Sequence, residues 1–217
     1  MAGGPAAKGL FLTLEGIDGS GKSTQARRLA AALESEGLAV QRTREPGGSP
    51  GAEEIRRLLV EGPAGRWSAE TELLLFTAAR RDHLERTIAP ALARGAVVIC
   101  DRFADSTRVY QGLARGALRA ETDRLHAAFI GIEPALTFVL DMDPEVALAR
   151  GRARGGAEHR FEAMGSDFQH RLRAGFRALA AEFPDRCRLI DAGRDETEVA
   201  EEIAALALAA LSGEAAR

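Results

Sequence analysis

A strand-like run, Leu10-Phe11-Leu12-Thr13-Leu14, leads straight into Gly16-Ile17-Asp18-Gly19-Ser20-Gly21-Lys22-Ser23, and a helical stretch opens at Thr24. This G-x-x-x-x-G-K-S pattern between a strand and a helix constrains the chain more than any other feature. The glycines let consecutive backbone N–H groups converge on phosphate oxygens, and the helix that follows adds its positive end. In such a loop Lys22 reaches the β- and γ-phosphates and the Ser23 hydroxyl ligates Mg²⁺. Of the 29 basic residues only Lys8 and Lys22 are lysines, so a compact ammonium is kept where the loop needs a point charge rather than a planar fork. The pattern points to a nucleoside triphosphate site with a solvent-facing Lys22.

The order of elements favours a doubly covered parallel sheet. Short apolar strands are predicted at Leu10–Leu14, Ala39–Thr43, Ala96–Cys100, Leu136–Leu140 and Arg188–Ile190. Between and after them, helices are predicted at Ser23–Glu36, Gly51–Glu61, Glu70–Arg94, Glu121–Ile130, Pro144–Arg152, Phe168–Glu182 and Thr197–Leu211. This alternation implies a three-layer α/β fold of the P-loop NTPase type, with five parallel strands and helices on both faces. A length of 217 residues with 46% hydrophobic content suits one domain, residues 1–217, with residues 1–8 as a flexible lead-in. Two stretches resist the pattern: the loop Arg44-Glu45-Pro46-Gly47-Gly48-Ser49-Pro50 and the arginine-rich stretch from Arg150 to Arg160.

Composition narrows the partners. A net charge of −3 argues against a general nucleic-acid binder, so basic residues are expected at local anionic pockets. No membrane partner is expected, because no run reaches eighteen apolar residues and Met1–Lys8 lacks a signal-like stretch. Cys100 and Cys187 are read as packed thiols of a reducing compartment, and the expected location is cytoplasmic. His83, His126, His159 and His170 show no metal-ligand spacing.

In open parallel sheets, ligands lie at the carboxyl ends of the strands. Ile99-Cys100-Asp101-Arg102 places a carboxylate and a guanidinium at such an end. Asp101 can hold Mg²⁺ or its waters, and Arg102 offers a fork for a phosphate monoester.

Around these residues the chain resembles the thymidylate kinase family. Ile99 to Gln111 is similar to that family's signature throughout, Thr43-Arg44-Glu45-Pro46-Gly47-Gly48 to a second block, and Leu75-Phe76-Thr77-Ala78-Ala79-Arg80 to a third. Arg150–Glu162 resembles the lid of its bacterial members, and with the phosphate loop the likeness covers residues 10 to 200. The resemblance implies transfer of the ATP γ-phosphoryl group to dTMP, giving dTDP and ADP, in dTTP biosynthesis. It implies ATP and Mg²⁺ at the loop (Gly16 to Ser23, with Thr24), with Ser23 and Asp101 as metal ligands, and a homodimer. For the monophosphate nucleotide it implies Arg102, Arg44 and Arg56 at the phosphate and Asp18 at the sugar 3′-hydroxyl. Phe76 is then stacked on thymine, Arg80 on its carbonyl, Thr107 and Gln111 facing the base, and Tyr110 beside the 2′ carbon. With no basic residue among Ile17, Asp18, Gly19 and Ser20, the chain resembles the lid-arginine type, with Arg154 first among Arg150, Arg152, Arg154 and Arg160. A deoxynucleoside kinase would not need the Arg-Glu-Pro-Gly-Gly loop. A regulatory GTPase would need an Asn-Lys-x-Asp motif that two lysines at positions 8 and 22 cannot supply.

Overall fold

The computed structural model describes residues 9–63, 65–154 and 165–213. Its centre is a five-stranded, wholly parallel sheet in the order β2-β3-β1-β4-β5. The strands are β1 (Phe11–Glu15), β2 (Val40–Arg44), β3 (Val97–Asp101), β4 (Leu136–Asp141) and β5 (Cys187–Asp191). β1 lies in the middle, with Leu14 opposite Asp101 on one side and Phe138 on the other. The loop that follows β1 is thereby flanked by the carboxyl ends of both neighbours.

Successive strand residues face opposite sides, so β3 feeds two cores. Val97 and Ile99 join Leu12, Leu14, Phe138 and Leu140 under α1 (Lys22–Ser35), α8 (Ser166–Glu182) and α9 (Glu196–Ser212). Val98 and Cys100 join Phe11, Leu84, Ile88 and Phe103 on the other face. Both cysteines are buried thiols, as their apolar settings suggest.

The remaining helices are α2 (Pro50–Val60), α3 (Ala69–His83), α4 (Ala89–Ala93), α5 (Ala104–Val109), α6 (Arg119–Phe129) and α7 (Pro144–Arg154). All five predicted strands are present with boundaries shifted by about a residue. The single helix predicted over Glu70–Arg94 is instead interrupted. A π-turn at Leu84–Ile88 joins α3 to α4, and the Ala89 N–H reaches back five residues to the Leu84 carbonyl. Pro90 supplies the reason, since it has no N–H to continue the regular ladder. A helix at α5, continued by a π-turn at Tyr110–Arg115, was not predicted. Its Asp105, Thr107, Arg108 and Gln111 are all buried, so polarity does not mark its outer face. No described helix is long and apolar enough to cross a membrane.

Candidate active site

The loop from Gly16 to Gly21 is pressed between β4 and α7. A Cβ on Gly16, at φ 135°, would stand 2.6 Å from the Leu140 carbonyl oxygen, and one on Gly19, at φ 85°, 2.1 Å from that of Ala147. Only glycine fits such approaches. Lys22 opens α1 and is buried, in contrast to the solvent-facing position expected for it, with Nζ donating to the Ile17 carbonyl at 2.7 Å. Burial, reinforced by the nearby Arg102 charge, lowers its pKa to about 8. Ser23 Oγ donates to Asp101 Oδ2 at 2.5 Å, joining the end of the phosphate loop to the end of β3. Among the described residues no cluster of three acidic, histidine or cysteine side chains forms a ready-made cation cage.

A cleft of about 690 Å³ opens on one side of the loop. Its lining brings together Asp18, Arg56, Phe76, Arg80, Arg102, Thr107, Tyr110 and Gln111, residues from four separate stretches of sequence, with Glu45, Ser106 and Val60 between them. Arg102 is the hub. Its Nη1 donates to the Gly16 carbonyl and to Ser106 Oγ, both at 2.9 Å, and its Nη2 to Asp18 Oδ1 at 2.5 Å. The Tyr110 hydroxyl donates to Asp18 Oδ2 at 3.2 Å. Burial alone would raise the Asp18 pKa, but Arg102 and Lys22 outweigh it and hold the carboxyl below its usual value.

The base-side residues are equally braced. Phe76 and Arg80 lie one helical turn apart on α3, the spacing that puts both on one face. Arg80 is buried and donates through Nε to Glu45 Oε2 at 2.7 Å and through Nη2 to the Phe103 carbonyl and Thr107 Oγ1. Glu45 is held in turn by His83 at 3.1 Å, and His83 by Thr43 at 2.7 Å. Gln111 donates to Glu72 at 3.2 Å, while its Oε1 is buried without a hydrogen-bond partner. Arg56 donates to the Pro46 carbonyl.

Other expected residues lie elsewhere. Arg44 pairs with Glu53 at 3.1 Å and lines a different cleft, with Ser23, Arg42, Thr43, Thr87 and Asp101. Arg150 lies with Gly19, Ser20, Gly21, Thr24, Gln25 and Arg194 around a space of about 840 Å³ on the α9 side of the loop. Arg152 and Arg154 fall on α7, and their side chains, with the whole of Arg160, lie outside the described residues. The sequence reading missed Glu15, Glu45, Ser106 and His83. For Glu15 a signal existed: a carboxylate ends an otherwise apolar central strand.

A phosphate loop with separate spaces on two sides, one fitted with a guanidinium beneath an aromatic side chain, defines a kinase that brings a nucleoside triphosphate and a nucleoside monophosphate together. Comparison gives the particular family. A family model described as thymidylate kinase matches residues 14–203. The thymidylate kinase of Ruegeria pomeroyi is 64% identical over 204 residues, covering 94% of this chain and 97% of its own length. That of a Jannaschia species is 66% identical over 194 residues, covering 89% and 93%. The crystal structure of thymidylate kinase from Ehrlichia chaffeensis superposes with a TM-score of 0.73 at 37% identity, over 91% of this chain and 98% of its own. The chain belongs to the thymidylate kinase family. It is an ATP-dependent kinase that phosphorylates dTMP to dTDP.

Proposed function

We propose that the cleft around Arg102 is the dTMP site and that the space bounded by Thr24, Arg150 and Arg194 receives ATP, with the γ-phosphate meeting the monophosphate beside Lys22. The observation that carries this is the position of Arg102, whose guanidinium stands between the phosphate loop and a cleft lined by Phe76 and Arg80. Arg102, with Arg56, binds the monophosphate by charge-assisted hydrogen bonds. Arg44 joins them only by exchanging Glu53 for phosphate. Asp18 accepts a hydrogen bond from the sugar 3′-hydroxyl, and Tyr110, packed edge-on against Phe168 and Phe176, fills the space beside the 2′ carbon.

Phe76 stacks on thymine. Two nitrogens of Arg80 are committed to protein acceptors, so the thymine carbonyl falls to its Nη1. Thr107 and the Gln111 carbonyl complete the base pocket, and Gln111 Oε1 there gains a donor from the base.

The reaction needs little covalent help. A monophosphate oxygen attacks the γ-phosphorus, the bond to the β–γ bridging oxygen breaks, and its electrons leave with ADP. Catalysis is therefore positioning and charge neutralisation. Lys22 exchanges the Ile17 carbonyl for phosphate oxygens. Ser23 and Asp101 fit magnesium, which takes one or two protein oxygens and completes its shell with phosphate and water. When bound, magnesium spreads the charge developing on the β- and γ-phosphates. Arg154, at the end of α7, contributes positive charge to the transferring group on closure, with Arg150, Arg152 and Arg160 as the other lid arginines.

The enzyme works as a homodimer in the cytoplasm on these two nucleotides, with no nucleic-acid or membrane partner. An ADP-release assay with ATP, Mg²⁺ and a panel of nucleoside monophosphates tests the site. dTMP should rank first, with dUMP about ten- to two-hundredfold behind for want of the methyl group. dCMP and purine monophosphates should be far slower; equal rates for dCMP and dTMP overturn the base-site assignment.

A further inference from the structure

Glu15 has no solvent exposure at all, yet it ends the central strand immediately before the phosphate loop. A carboxylate in that position is costly unless its oxygens are matched by donors. The donors all come from one place, the junction of β3 and α5. Oε1 accepts the Phe103 N–H at 2.7 Å and the Ser106 N–H at 3.2 Å, and Oε2 accepts the Ser106 hydroxyl at 2.5 Å. α5 begins just after Phe103, whose own side chain supplies no cap, so a group distant in sequence satisfies donors at its start. The same Ser106 oxygen accepts from Arg102 Nη1 at 2.9 Å.

Arg102 itself is in a left-handed conformation, φ 71°, which a residue with a side chain holds only where its surroundings impose it. The restraints flank it on both sides and both come from β1. Its own N–H donates to the Leu14 carbonyl at 2.9 Å, and the next N–H, that of Phe103, donates to Glu15.

We propose that Glu15 is a positioning residue for the monophosphate: it fixes the Arg102 backbone from one side and, through the Ser106 hydroxyl, aims the guanidinium into the cleft. Glu15 does not touch substrate; it acts through Arg102, and the inference rests on Arg102 binding the monophosphate.

The decisive variants are Glu15→Gln, Ser106→Ala, their combination, and Arg102→Ala as a control on the underlying reading. In Glu15→Gln an amide oxygen still meets the Phe103 N–H, but the amide nitrogen faces Ser106 Oγ, which already accepts from Arg102, and the serine proton loses its acceptor. Misplacement of a binding group by about an ångström costs up to about a hundredfold. Glu15→Gln should therefore lower kcat/KM for dTMP by about ten- to a hundredfold while the KM for ATP stays within about twofold. Ser106→Ala should show a smaller loss confined to dTMP. The double variant should be no worse than about the poorer single one, because both changes break one chain. Equal losses toward ATP and dTMP overturn the proposal in favour of a general structural role. So do additive effects in the double variant, or unchanged dTMP kinetics in Ser106→Ala. Should Glu15→Gln fail to fold, the Ser106→Ala result decides alone. If Arg102→Ala leaves dTMP kinetics intact, the assignment of the monophosphate site fails rather than the Glu15 linkage.

Discussion

Two demands oppose each other at Lys22. The ammonium packs among buried backbone groups, and in the role proposed above it also has to remain charged for the phosphates. Burial lowers its pKa to about 8, so the folded protein holds this proton less tightly than the unfolded chain. Its contribution is therefore unfavourable at neutral pH and is relieved as pH rises from about 8 toward the ordinary value of 10.5. Lys22→Met should lose at least about a hundredfold in turnover, the scale of one charge-stabilising donor. It should not melt earlier than wild type at pH 7. A fall in melting temperature sinks the view that Lys22 is retained for catalysis against its own folding cost. Glu15 shows the opposite shift. Burial, with a push from Asp105, raises its pKa to about 7 despite the Arg102 charge. The folded state then binds this proton more tightly than the unfolded chain, so the contribution is complete below about 4.5 and is lost as pH rises to about 7. At about 1.4 kcal/mol per unit, that loss is on the order of 3 kcal/mol. Denaturant titrations of wild type and Glu15→Gln from pH 4.5 to 7.5 should reveal it as a fall in wild-type stability relative to the variant. Parallel pH profiles would contradict it.

α5 is held by charges as well as by the buried Ala104 and Val109. Asp105 accepts from Arg108 at 2.8 Å and from Arg186 at 2.5 and 2.9 Å, and Arg108 reaches on to Asp123 and Glu133. Burial alone would raise the Asp105 pKa, but the two guanidiniums outweigh it and hold it below the usual value. Asp105→Asn would leave two largely buried guanidiniums without their shared carboxylate, a change that costs about 3–5 kcal/mol in comparable cases. The check is a denaturant midpoint at pH 7; a loss under about 1 kcal/mol would mean that Glu133 and Asp123 suffice. This arrangement also explains why α5 was not legible in the sequence. Helix prediction rests on an apolar face, and α5 with its π-turn buries Asp105, Thr107, Arg108 and Gln111 among its few apolar residues. The strands were legible because β1, β3 and β4 are apolar on both faces, as strands covered by helices must be. The phosphate loop was legible because its chemistry is contiguous. The bracing groups were less so, because each acts across the fold on a residue at least 35 positions away: Glu45 and His83 have nothing local to mark them, and for Glu15 only a carboxylate at the end of β1 hints at a role. At the end of α7, Arg154→Ala should lower turnover far more than it weakens dTMP binding, because a charge delivered on closure acts on the transferring group alone. Unchanged turnover would move that role to Arg152 or Arg160.

The spaces on either side of the phosphate loop make the whole molecule a two-ligand device with one shared boundary. The cleft around Arg102 is bounded by α2, α3 and α5, whereas the space on the other side is bounded by the loop, α7 and α9. Gly19 and Ser20 face the second and Asp18 the first, so the loop itself divides them. Ligands in separate sites stabilise a fold independently, each by about 2.7 kcal/mol at a hundred times its dissociation constant. For a chain of this length that corresponds to a rise of about 5–11 °C in melting temperature. Thermal melts with dTMP alone, with a non-hydrolysable ATP analogue and Mg²⁺, and with both should therefore give two single shifts and a combined shift close to their sum. Arg102→Ala should abolish the dTMP shift and keep that of the analogue, and Lys22→Met should do the reverse. If dTMP and the analogue instead suppress each other's shifts, they compete for one space, and the division of the site by the loop is wrong.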